Sequence, residues 1–223
     1  MGMFGLDLLT ISSLLVLSSG PSGCSLPAAP RVLVDPVTEE IVYDYSKDSA
    51  ALGLIHSDTV SPYGPGVDLT TGGLREDHPT TSIEVKWKIH EFPSLGLTCL
   101  YYDEIKVTVT LRPKIYVAKD YNHGACRKAI IAHERKHVKV DRAVMNRYAQ
   151  SIGESVKKTV DSAGAFGPFT ASALPAAQEN LVSRVQEAIE AVKVDMEAEM
   201  ADLQSKVDSR EEYDRVSRIC HGE

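Results

Sequence analysis

The stretch Ala132-His133-Glu134-Arg135-Lys136-His137 constrains this chain more than any other. Two histidines four residues apart share one face of a helix with Cβ atoms about 5 to 6 Å apart, so both imidazoles can reach one ion at Zn–N distances of about 2.0 to 2.1 Å. Glu134 cannot join them as a ligand from the adjacent position. Its carboxylate can reach a water at the metal and serve there as a general base. Ala129, Ile130 and Ile131 precede the motif, and Val138, Val140, Ala143, Val144 and Tyr148 follow it, which predicts a packed helix with Arg135 and Lys136 on its solvated face.

A hydrolytic zinc site has three protein ligands and leaves the fourth position to water. Asp141 is the nearest carboxylate, but it lies about 6 Å along the axis beyond His137 on a straight helix, and no Gly or Pro intervenes to bend it. Asp141 is therefore expected behind the ligands as a supporting carboxylate. The candidates for the third ligand are Glu154 of the motif helix, or a carboxylate of the second long helix, or His221. His90 and His123 read as surface residues.

Two alternating runs predict strands. Ile83, Val85, Trp87 and Ile89 alternate with polar neighbours from Ser82 to His90, and Ile105, Val107, Val109 and Leu111 do so before Pro113. One apolar and one polar face indicate an antiparallel sheet covered on one side, with a turn at Phe92 to Thr98. Shorter β segments are expected at Arg31 to Val34, Ile41 to Tyr45 and Ile115 to Val117. Ser46 reads as the cap of a short helix, and Ser57 to Thr81 as a long loop. The motif helix is expected to begin at a cap on Asp120 or Asn122 and to run to about Val160. Ser162 to Pro175 breaks the chain. Leu181, Val185, Ile189, Val192, Met196, Leu203 and Val207 then mark a second long helix that packs on the first.

The apolar run Leu8 to Leu17 passes into Ser18-Ser19-Gly20-Pro21-Ser22-Gly23-Cys24, so residues 1–29 read as a secretory signal, too short to span about 30 Å of hydrocarbon. Ser22-Gly23-Cys24 resembles the end of a bacterial lipoprotein box, with Pro21 where leucine is usual, and makes Cys24 a candidate lipid anchor. Of the 4 cysteines no two have C-x-x-C spacing. That suits an exported protein with a structural disulfide, for which Cys99–Cys126 is the first expectation and Cys126–Cys220 the alternative.

Charge excludes one class of partner. The net charge is −7, and from Pro175 onward 12 acidic side chains face 6 basic ones. The basic cluster from Lys119 to Arg147 is a solvated helix face, so no nucleic-acid surface is expected.

The succession Ile41 to Tyr45, Tyr63-Gly64-Pro65-Gly66, the strand with Trp87, Cys99, the strand Ile105 to Leu111 and the His133-Glu134-Arg135-Lys136-His137 helix resembles a bacterial family of secreted zinc-dependent peptidases. The resemblance covers about residues 38 to 150 and returns in Tyr213, Asp214, Ser217, His221 and Gly222, with a longer gap between Ser217 and His221 than the family pattern. It implies a peptide or protein substrate and ranks His221 first as third zinc ligand. The expectation is an α+β domain over residues 30–223, a small antiparallel sheet beside the zinc helix and a second long helix. His133, His137 and His221 would hold Zn²⁺ in the cell envelope, with Glu134 as catalytic base. The alternative is a non-catalytic envelope protein with a closed structural zinc site and a helical partner surface.

Overall fold

The computed structural model describes Cys24 and residues 29–55, 61–64 and 70–222. Apart from Cys24 and Ala29, the expected signal lies outside these residues, as does Pro65-Gly66. The fold is α+β, as expected, and is built from two small sheets and two long helices.

The first sheet has the order β1 (Arg31–Thr38), β5 (Leu97–Leu111), β4 (Thr80–Phe92), and β7 (Phe166–Thr170) also pairs with β5. β4 and β5 form the antiparallel pair legible in the alternation, with Ile83 opposite Val107 and Val85 opposite Ile105. β1, by contrast, runs parallel to β5. It continues through Asp35-Pro36, where a break is expected from the sequence, because an edge strand tolerates a residue with no N–H. Ile105, Val107, Val109 and Leu111 are at most 1% exposed. Burial of each such side chain stabilises the fold by about 1.5 to 3 kcal/mol.

Pro113 ends β5, and the chain passes into β6 (Lys114–Val117), the centre of a second sheet ordered β2 (Val42–Asp44), β6, β3 (Gly73–Glu76). β2 is parallel to β6 and β3 antiparallel to it. β3 falls inside the expected long loop. It is four residues with a single buried side chain, Leu74, and carries no alternation to reveal it. The short helix α1 (Ser49–Leu52) is capped by Asp48, which accepts from the Ala51 N–H at 2.8 Å, while Ser46 is bonded instead to Asp44.

The motif helix α2 (Gly124–Ala163) runs 40 residues, preceded by His123 rather than a side-chain cap at Asp120 or Asn122. It lies across both sheets. Val144, Met145, Ile152, Val156 and Val160 pack on β5, and Cys126, Ile130 and Val138 on Ile115 and Val117 of β6. α3 (Leu174–Val207) folds back along it and buries Leu181, Val185, Ile189 and Met196 of the expected stripe. α4 (Arg210–His221) then returns along the first part of α2 with none of its side chains buried.

The disulfides are Cys24–Cys99 and Cys126–Cys220. The alternative pairing of Cys126 is thus found, and Cys99–Cys126 is not. Cys99 lies 12 residues, about 40 Å of strand, from the end of β5 that leads into β6 and α2, whereas bridged Cα atoms must approach within about 7 Å. Cys24 cannot be the lipid anchor foreseen in the sequence, since its sulfur is in the bridge to Cys99. Two disulfides fit an extracellular or periplasmic environment. Among the described residues no helix is long and apolar enough to cross a membrane.

Candidate metal centre

His133, Glu134 and His137 sit on the face of α2 that turns inward, at 8%, 5% and 4% exposure. Arg135 and Lys136 are exposed, as the helix period requires. The two imidazoles present Nε2 to each other at 3.2 Å. A carboxylate joins them from the far end of α3: Oδ1 of Asp208, the residue that ends that helix, lies 3.1 Å from His137 Nε2 and 3.3 Å from His133 Nε2.

These three atoms form a triangle with edges of 3.1 to 3.3 Å. Donors at 2.0 to 2.1 Å from a tetrahedral ion stand about 3.3 to 3.4 Å apart, so the residues present fit a divalent metal with little adjustment. The second carboxylate oxygen of Asp208 is buried with no hydrogen-bond partner. Leaving such an atom unpaired costs free energy that a bound cation would recover. His133, His137 and Asp208 therefore form a group that could hold a metal ion.

The charges respond to this crowding. Burial works to raise Asp208, but hydrogen bonds from His133 and His137 outweigh it and hold the carboxyl below its ordinary range. Burial works to lower His137, and the hydrogen bond to Asp208 with the charge of Glu134 reverses the balance. Glu134 itself is raised by burial, against the pull of His133, His137 and Arg75.

Glu134 is held by the second sheet. A Cβ on Gly73 of β3 would stand 2.8 Å from Glu134 Oε1 and 2.3 Å from Ile130 Cγ2, so only glycine lets this strand lie against the helix. Behind the donors, Gln204 of α3 contacts His137 Nδ1 through Oε1 and donates from Nε2 to the His137 carbonyl at 3.2 Å and to Asp141 Oδ1 at 2.5 Å. Asp141 Oδ2 accepts from Arg75 of β3 at 2.6 Å, and the same guanidinium nitrogen pairs with Asp77. Burial pushes Asp141 up to about 7 against the attraction of Arg75. Asp141 thus has the supporting place expected of it. On the other flank, Glu212 of α4 lies 3.5 Å from His133 Nδ1 and is held by Lys136 and Arg215.

The residue that the structure brings to the histidine pair is thus Asp208, where His221 was expected. α4 runs from the Asp208 corner back toward the start of α2, and the Cys126–Cys220 bridge fixes its last turn seven residues, about 10 Å of helix, before His133. His221 lines the same cavity, with its ring 6.4 Å from that of Tyr121. Glu154 lies about 25 Å down α2 from His137 and bonds Gln150. A carboxylate of the second long helix was among the sequence candidates, and Ser209-Arg210-Glu211-Glu212 could have selected it. That run is a capping box, and Ser209 does accept from the Glu212 N–H at 3.3 Å, so a new helix starts there and Asp208 stands at the corner.

The group opens on a cavity of about 850 Å³ between β3, α2, α4 and the segment around Leu54 and Tyr63. The ring of Tyr213 lies 5.8 Å from that of His133, and Tyr63 bonds Asp214. Comparison with protein-family models, characterised proteins and solved structures finds no match for this chain.

Proposed function

We propose that this protein is a zinc-dependent hydrolase of the cell envelope, acting on peptide bonds. The observation that carries the reading is that three convergent donors open on a cavity with a buried glutamate beside them. Three donors and an open side suit catalysis, whereas a closed set of four would suit a structural site. His133, His137 and Asp208 would hold the ion. Zinc in such a site supplies Lewis acidity to a carbonyl oxygen and lowers the pKa of water toward about 7.

The chain's own residues supply the rest. Glu134 Oε1 and Oε2 take the proton of the attacking water and return it to the leaving amine, a role helped by the raised affinity for protons that burial gives this carboxyl. The backbone of β3 offers a place for an extended substrate. Among the described residues β3 pairs with β6 alone, and since Ala118 N–H bonds Gly72 O at 2.9 Å, the alternation leaves the N–H and C=O of Gly73 and Arg75 facing away from β6. A peptide added there would run past Glu134.

The test is zinc stoichiometry of the purified protein together with turnover of a peptide library by wild type and Glu134→Gln. One zinc per chain in both proteins and cleavage by wild type only is the expected result. Equal cleavage by the two would remove Glu134 from the mechanism, and no zinc in either would remove the metal.

A further inference from the structure

Gln204 is a buried amide, 6% exposed, set between α2 and α3 beside the buried His137 and Asp141. A side chain of this kind is costly to bury unless its hydrogen bonds are made, and here the oxygen and the amide nitrogen are both engaged. The direction of those bonds is not arbitrary. Asp141 and the His137 carbonyl are acceptors, so the side of Gln204 that faces them must be its NH₂. Its oxygen is then turned to His137 Nδ1, which must carry a hydrogen to meet it. The charged imidazole donates from both nitrogens, to Gln204 and to Asp208; the neutral form that keeps hydrogen on Nδ1 has its lone pair on Nε2, where it accepts from the Nε2–H of His133 at 3.2 Å.

The chain of contacts does not stop at Asp141. Its other oxygen is taken by Arg75, and Arg75 belongs to β3, the strand whose Gly73 lies against Glu134. The wall of the cavity and the orientation of one metal donor are therefore joined by a single line of side chains: Arg75, Asp141, Gln204, His137.

Resting on the metal reading above, we propose that Gln204 is a positioning residue: anchored by Asp141 and Arg75, it locks His137 in the Nδ1–H form and so presents Nε2 to the ion before any metal arrives. The neutral histidine side chain in water favours hydrogen on Nε2, the form that cannot bind through that atom. Asp141 and Arg75 act through Gln204 and touch no donor atom themselves.

Long-range ¹H–¹⁵N correlation on metal-free, uniformly ¹⁵N-labelled protein at pH 8 reads the tautomer directly. His137 is expected in the Nδ1–H form. Gln204→Met, which keeps the shape and removes the amide, is expected to shift His137 toward the Nε2–H form and to weaken zinc in chelator competition by about 10- to 100-fold. The pair Gln204→Glu with Asp141→Asn reverses the amide and carboxylate while keeping an acceptor at His137 Nδ1, and is expected to restore both tautomer and affinity. This pair also serves if the methionine variant does not fold. His137 in the Nε2–H form in metal-free wild type overturns the proposal whether or not zinc binds. So does a Gln204→Met protein whose tautomer is unchanged. Wild type that shows the Nδ1–H form but takes up no zinc overturns the metal reading alone.

Discussion

Asp208 Oδ1 lies 3.1 Å from His137 Nε2 across a separation of 71 residues. The contact joins the first part of one long helix to the end of the other, and it sets Asp208 where His221 was expected. Asp208→Ala should lower zinc affinity by more than the about 100-fold that loss of an outer partner costs, and His221→Ala should leave it unchanged. Chelator competition on both variants decides between them. Loss of zinc in His221→Ala with retention in Asp208→Ala would reverse the assignment.

Gly73 is the point at which β3 meets α2. Gly73→Ala puts a methyl 2.3 Å from Ile130 Cγ2 and 2.8 Å from Glu134 Oε1, both on a helix that cannot yield far. Such overpacking is expected to cost about 1 to 3 kcal/mol and to displace Glu134, so turnover should fall more steeply than zinc content. Urea unfolding and metal analysis on one preparation test this, and a variant with wild-type stability and turnover would show that the strand is free to move away.

α4 has no buried side chain and is tied to α2 by Cys126–Cys220, which closes a separation of 94 residues. Replacing both cysteines by serine should cost about 2 to 5 kcal/mol. Limited trypsin digestion should then cut first at Arg210, Arg215 or Arg218, all in α4. First cuts elsewhere in a double-serine protein would mean that packing alone holds this helix.

Glu212 is bonded to Arg215 and Lys136 and titrates at about 2 in the folded protein against an ordinary 4.5. A carboxyl with a depressed folded value stabilises the fold above its unfolded value, and the contribution is lost as pH falls through the folded one. Glu212→Gln should therefore be less stable than wild type at pH 7, by about 1 kcal/mol once the exposure of its two cationic partners is allowed for. The difference should shrink as pH falls from about 4.5 toward 2. Chemical denaturation of metal-free protein at several pH values measures it, and a gap that is constant down to pH 2 would contradict the assignment.

The parts of the fold legible in the sequence were those with long periods. β4 and β5 could be read because several apolar positions alternate in each, and α3 because its stripe repeats through Leu181, Val185, Ile189 and Met196. β3 and β7 are too short for any period, and each exists through its partner, β6 or β5. In the site, His133, Glu134 and His137 are neighbours on one helix and could be read locally. The exclusion of Asp141 as a donor could also be made from helix rise alone, and its bonds to Gln204 and Arg75 agree with that. Asp208 could not be placed by spacing, because its position depends on where α3 meets α2 after folding back.

The return of α3 along α2 also sets an order of events for a chain that emerges from its N-terminal side. His133 and His137 are exposed to solvent as a bare pair until about seventy further residues have followed and the helical hairpin has closed, because only then does Asp208 reach them. A bare pair binds a divalent ion far more weakly than a completed set, so an ion held by all three would clamp the hairpin shut, and metal capture and hairpin closure would be one cooperative step. Two disulfides fit an extracellular or periplasmic environment, so under the proposed reading the metal supply there, rather than that of the compartment of synthesis, would determine what the finished site holds.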